Sequence, residues 1–257
     1  MVFFMHFIMK KNAAFKRYFK NFTFKEIRKS ILKKIINLGF PSAMQMLFEV
    51  TLFTAAIWLS GSLGKNSQAA NQIALTLASS TFMVAMGFSV AAMIRVSNSK
   101  GMKDYKQLIT VARSIFLLAI MVEIFFGLVF VVSHNFLPHL FLNMSDASQQ
   151  LDNTEIIQIA SQLLLVATVF QISDGIQVVV LGALRGLQDV KIPMYITFFA
   201  YWVVGFPISY YLGKYTNLGA TGIWIGLLAG LTAAALFLYL RFSRLTKILA
   251  MDNVQEL

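Results

Sequence analysis

The sequence has no cysteine, three histidines, four prolines and 11 acidic residues among 257. Each shortage excludes something. Without cysteine there are no disulfides and no thiolate metal sites. The histidines stand at positions 6, 134 and 139, outside every long apolar run, so none can serve a serine nucleophile there. Asp174 is the one aspartate inside such a run, whereas an intramembrane aspartyl protease needs two. No glycine-rich loop closing on a lysine is present to cradle phosphates, so ATP is not the expected driver. The chain is not expected to be an enzyme or to carry a cofactor.

What is abundant is hydrocarbon. Hydrophobic residues make up 58% of the chain and charged residues 13%, a composition far too apolar for a soluble domain of this length. Six stretches are long enough to cross about 30 Å of bilayer core as helices: Leu38 to Ser60, Asn71 to Ile94, Ser114 to Val132, Ile156 to Leu181, Ile192 to Leu212 and Leu218 to Leu240. The expected fold is an all-α integral membrane bundle of six transmembrane helices over residues 38–240, preceded by a segment 1–37 and followed by a tail 241–257. The opening MVFFMHFIM is followed, not preceded, by its positive charges, so it does not resemble a secretory signal.

Basic residues near span ends set orientation. With the segment before the first span in the cytoplasm, all of the 22 Lys and Arg except Lys65 and Lys214 fall inside. Both termini are therefore expected in the cytoplasm, and the net charge of +11 is explained without nucleic acid. The stretch from Lys10 to Lys34, with Phe15, Tyr18, Phe19 and Phe22 among its lysines, reads equally as an interfacial helix on anionic lipid and as a cytoplasmic linker. In the turn LGALRGLQDVKIPMY, Arg185, Asp189 and Lys191 sit where water is expected. Gly182 and Gly186 there relax the helix end, and Pro193 opens a new helix. His134, His139, Asp146, Asp152 and Glu155 lie in an outer loop and read as solvated residues rather than metal ligands.

Three carboxylates remain inside spans: Glu49, Glu123 and Asp174. An ionised side chain at mid-membrane costs about 2.5 to 3.5 kcal/mol on insertion scales, so such residues face the protein interior and are functional candidates. Pro41, Gln45 and Glu49 recur at i, i+4, i+8 along one helix face. A carbonyl freed near Pro41 is a further possible ligand on that face. Asp174 is flanked by Gln171 and Gln177, each three residues away. Glu123 has no comparable stripe and is the secondary candidate. Gly222, Gly226 and Gly230, four residues apart, form a face for close helix approach.

These residues resemble a family. The segment FQISDGIQVVVLGALRGLQDVKIPMYITFFAYWVVGFPISYYLG, with LGFPSAMQMLFEV and AANQIALTLASSTFMVAMGFSVAAMIRV, is similar to the carboxy-terminal half of multidrug and toxic compound extrusion (MATE) transporters of the NorM-like branch. The resemblance implies an antiporter in a bacterial cytoplasmic membrane that expels cationic amphipathic compounds against a sodium or proton gradient. It implies cation binding at Glu49 and Asp174, supported by Gln45, Phe170, Gln171, Gln177 and Pro41. Members often have a tyrosine where this chain has Phe170, which removes a hydroxyl ligand. The family has two six-helix bundles, of which this chain matches the second, so a second half, as another chain or a second copy, is the implied partner. The alternatives are an inactive fragment, a non-transporting partner of a full-length pump, or a lipid-precursor flippase of the same superfamily.

The charge pattern is tested by labelling. Cysteines introduced at Ser67 and Ser148 should react with an impermeant thiol reagent outside intact cells, and one at Ser243 should not; the reverse pattern contradicts the orientation.

Overall fold

A computed structural model describes residues 7, 28–142 and 150–255, with the side chains of 252–255 left aside. Asp146, Ser148, the opening apolar stretch other than Phe7 and most of the polybasic segment lie outside these residues. The chain divides into Met1–Phe40 and Pro41–Leu257. In the first unit, Ile31 and Leu32 donate to the carbonyl of Arg28 as helix α1 begins.

Six helices long and apolar enough to span a membrane follow one another: α1 (Lys29–Ser62), α2 (Lys65–Gly101), α3 (Tyr105–Ser133), α4 (Gln150–Gly186), α5 (Lys191–Tyr215) and α6 (Gly219–Gln255). No strand occurs among the described residues. Hydrocarbon leaves a backbone no partner but itself, which is why apolar runs of this length become helices. At 1.5 Å per residue the 37 residues of α4 extend about 55 Å, well past the hydrocarbon. The first five helices accordingly start before their apolar runs, and all six end beyond them. Asp104 caps α3 ten residues before Ser114, its carboxylate accepting from the Gln107 amide at 2.8 Å. α6 continues as helix through residues 241–255.

Within Pro41–Leu257, α4 is the hub. It packs on α2, α3 and α6, and α6 in turn packs on α5. Small residues make these approaches possible. A Cβ on Gly182 would stand 2.3 Å from the Ser89 carbonyl oxygen, and one on Gly186 would stand 2.6 Å from that of Met93. Ser89 completes the seam by donating to the Val178 carbonyl at 2.7 Å. The expectation that these glycines relax the helix end is therefore corrected: α4 runs through both, and they let α2 come close. The end is made by Gln188 in the left-handed region, φ 62°. Its amide bonds to Arg185 O, and that of Asp189 bonds to Leu184 O, the pairing of a Schellman cap.

The α4–α5 turn is gripped from three sides. Lys100 of α2 donates to Leu187 O at 2.6 Å, Gln45 of α1 to Val190 O at 2.9 Å, and Arg241 of α6 to Asp189 at 2.7 Å. At the other end Lys65 pairs with Asp152, and Asn66 donates to Asp152 and Glu155. Those two acids thus open α4 and tie it to α2, although an exposed pair of this kind adds little stability. The His134 and His139 rings each bond a backbone carbonyl of their own segment, Val131 O and Asn135 O.

α5 is interrupted by a π turn, Phe199–Gly205, directly before Pro207. Proline has no amide hydrogen for the carbonyl four residues back, and a wider turn accommodates the gap. Gly205 meets Gly230 there, and Gly226 receives Ser209 so closely that a Cβ would lie 2.2 Å from the Ser209 nitrogen. The glycine face of the last span is thus filled by α5, as the sequence led us to expect.

Gly226→Ala should destabilise the bundle by about 1–3 kcal/mol, the usual cost of overpacking. Gly87→Ala meets nothing within 4 Å and should be neutral or stabilising by up to about 1 kcal/mol. Thermal unfolding in detergent measures both.

Candidate functional site

α1, α2 and α4 line a partly open cavity of about 340 Å³. Its walls are Glu49, Val50, Phe53 and Ile57 from α1; Gln72, Leu75, Thr76, Ala78, Ser79 and Phe82 from α2; and Phe170 and Asp174 from α4. Two of the three intramembrane carboxylates, on helices more than 100 residues apart in sequence, therefore face one space. Asp174 is 5% exposed, and its Oδ1 has no hydrogen-bond partner among the described residues. The hydroxyls of Thr76 and Ser79 donate to Gln72 O and Leu75 O of their own helix. Their lone pairs remain as acceptors.

Aromatic rings back the carboxylates. Phe170 packs edge-on to Phe53 at 6.0 Å and lies 5.1 Å from Trp224 of α6. The Trp224 side chain is fully buried, and its indole N–H donates to Asn71 Oδ1 at 2.8 Å. Acidic groups among aromatic faces and aliphatic walls suit a ligand with positive charge and apolar bulk. Among the described residues no three His, Cys, Asp or Glu gather as a metal centre.

The other expected site residues fall elsewhere. Pro41 lies within α1 and is buried, but it is not among the lining residues. Gln45 is committed to structure: its Nε2 donates to Val190 O, and its Oε1 accepts from Arg185 Nη2 at 3.1 Å and Nε at 3.4 Å. Gln171 turns away from the cavity, donating to the Glu123 backbone carbonyl at 3.1 Å. Gln177 is wholly buried, with both polar atoms unpartnered among the described residues.

Glu123 sits behind the cavity, 1% exposed, with neither carboxylate oxygen hydrogen-bonded among the described residues. Gly175 makes its space, since a Cβ there would lie 2.6 Å from Glu123 Cγ. It remains within electrostatic reach of Asp174.

Several participants were missed. Tyr201, on the π turn, is fully buried with a hydroxyl unpartnered among the described residues, in reach of Glu49, Asp174 and Arg185. Arg185, expected in a solvated turn, reaches back to α1. The α2 wall was legible in principle, because Gln72, Thr76 and Ser79 recur at i, i+4, i+7, a polar stripe on an apolar helix.

Comparison with known proteins finds relatives by both sequence and fold. The family model MatE matches residues 41–211. A probable multidrug resistance protein NorM of Agrobacterium fabrum is 37% identical over 216 residues, covering 84% of this chain and 46% of that protein. One from Bacillus subtilis is 32% identical, covering 94% and 51%. The chain thus spans about half the length of the curated relatives it matches. The fold is similar to the crystal structure of a eukaryotic MATE transporter, with TM-score 0.80 at 20% identity over 98% of this chain and 55% of that one. It is also similar to an inward-facing multidrug resistance MATE transporter, with TM-score 0.72 at 21% identity over 88% and 50%.

Asn71→Ala should leave the buried Trp224 indole without an acceptor and destabilise the chain by about 1–3 kcal/mol. A companion Trp224→Phe should remove most of that penalty. Denaturation of the single and double variants measures the coupling.

Proposed function

Because the chain belongs to the MatE family, in its NorM-like branch, and is a multi-pass membrane protein, we propose that it forms one lobe of a cation-coupled multidrug efflux antiporter. The observation that carries this reading is the shared cavity, which Glu49 and Asp174 both line together with Phe53, Phe82 and Phe170. Two carboxylates in one low-dielectric site repel each other and favour binding of any cation that neutralises them. A sodium ion or proton and a cationic amphipathic compound then compete for the same negative charge. That competition is the coupling.

The energetics are sufficient. One inward monovalent cation releases about 2.3 kcal/mol per 100 mV, whereas a tenfold concentration gradient costs about 1.4 kcal/mol. One ion exchanged for one monovalent cationic compound moves no net charge, so the ion's own concentration gradient sustains an equal gradient of the compound, and a second ion would add the electrical term. Phe170 supplies a ring face to the cation.

Since the relatives are about twice as long, we propose that extrusion also requires a second six-helix half, as a partner chain or a second copy in the same orientation. Both termini would face the cytoplasm of a bacterial cell, and the bilayer would be its inner membrane.

In a pump-deficient host, the chain expressed with a matching first half should confer resistance to lipophilic cations. The chain in demonstrably monomeric form should not. Within the active assembly, Glu49→Gln and Asp174→Asn should keep normal membrane levels and abolish ion-driven efflux. Leu47→Ala, on the exposed side of α1, should leave efflux within about twofold of wild type, as surface changes rarely exceed 0.5 kcal/mol. Efflux by Asp174→Asn with unchanged sodium and pH dependence refutes the role of Asp174.

A further inference from the structure

Arg185 stands beside the carboxylate site, outside the cavity lining. An arginine in the last turn of a helix ordinarily turns to that helix's own free carbonyls or to water. Here the guanidinium crosses to α1 and donates twice to Gln45 Oε1, at 3.1 and 3.4 Å. Gln45 cannot follow it outward, because its own amide is fixed to Val190 O at 2.9 Å. The charge is thereby held one helical turn from Glu49, within electrostatic reach of that carboxylate and of Tyr201.

We propose that Arg185 is a built-in counter-cation of the cavity and sets its preference for monovalent over divalent organic cations. The inference rests on Glu49 and Asp174 being a cation site. Guanidinium does not lose its proton in proteins, so it is a permanent positive charge. Beside the carboxylates it repels every bound cation, and it repels two charges about twice as strongly as one. A monovalent ligand therefore loses less to Arg185 than a dication does, in an interior that screens charge poorly. Glu123, which acts on Asp174 from behind and is not part of the lining, is unchanged when Arg185 variants are compared, so a shift in preference between them reports on Arg185.

A matched pair of probes separates this role from simple structural support. The monovalent probe is 1-methyl-4-phenylpyridinium and the divalent one is methyl viologen, two-ring cations of nearly the same shape. Binding to the full chain in lipid nanodiscs is measured by equilibrium dialysis. Wild type should favour the monovalent probe. In Arg185→Gln the affinity ratio should shift toward methyl viologen by about tenfold, equivalent to about 1.4 kcal/mol. Arg185→Lys, which keeps the charge, should retain the wild-type ratio. Gln45→Glu, which pairs the guanidinium directly, should shift the ratio in the same direction as Arg185→Gln, and it carries the test should Arg185→Gln not fold. An unchanged ratio in the neutralised variants, or an equal loss of both probes, overturns the role of Arg185 while leaving the cavity as a cation site. Failure of wild type to bind either probe overturns the cavity reading itself, and the selectivity proposal with it.

Discussion

Hydrocarbon offers no hydrogen bond, and this one constraint organises the molecule. Every polar side chain in a span must find a partner inside the bundle or a ligand from outside it. Most find the former: Ser89 takes the Val178 carbonyl, Ser209 takes that of Ile223, and Trp224 takes Asn71. Each of these bonds requires two helices to approach closely. Where the approach is closest, glycine stands on one side, as at Gly182 against Ser89 and Gly226 against Ser209. The glycines and the hydroxyls are thus two halves of the same solution.

The carboxylates are the exceptions, and they are concentrated around α4. Asp174, Glu123, Gln171 and Gln177 all retain buried polar atoms without partners among the described residues. A bundle built only for stability would not keep them, since apolar residues of similar size would cost less. Their persistence between helices whose seams are closed by hydrogen bonds separates two regions. One is the tightly seamed α2–α4–α6 core. The other is the space between that core and α1, which Asp174 of α4 shares with Glu49.

Much of this was legible in the sequence, and for identifiable reasons. Six apolar runs gave six helices because run length maps directly onto bilayer thickness. Glu49 and Asp174 stood out because a charge in such a run is costly wherever it points. Gly222, Gly226 and Gly230 showed their purpose through spacing alone. Arg185 was misjudged because it lies past the apolar run, at a position where water is the usual partner. Only the fold brings Gln45, 140 residues away, to the same place. Gly175 and Tyr201 gave no signal for the same reason: a glycine beside an aspartate and a tyrosine among aromatics mean nothing until the facing helix is known.

The π turn of α5 also resolves a mismatch of periods. Along α5 the buried positions Pro193, Thr197, Tyr201, Gly205, Ser209 and Gly213 recur every four residues. A regular α-helix turns about 100° per residue, so a strict four-residue repeat drifts about 40° at each step and would wind off the interface within a few turns. α6 presents its own four-residue repeat at Gly222, Gly226 and Gly230 across the same seam. A wider turn in the middle of α5 rotates less per residue and winds the stripe back. The irregular turn therefore acts as a phase correction, keeping one ladder of small residues in step with another over the length of the contact.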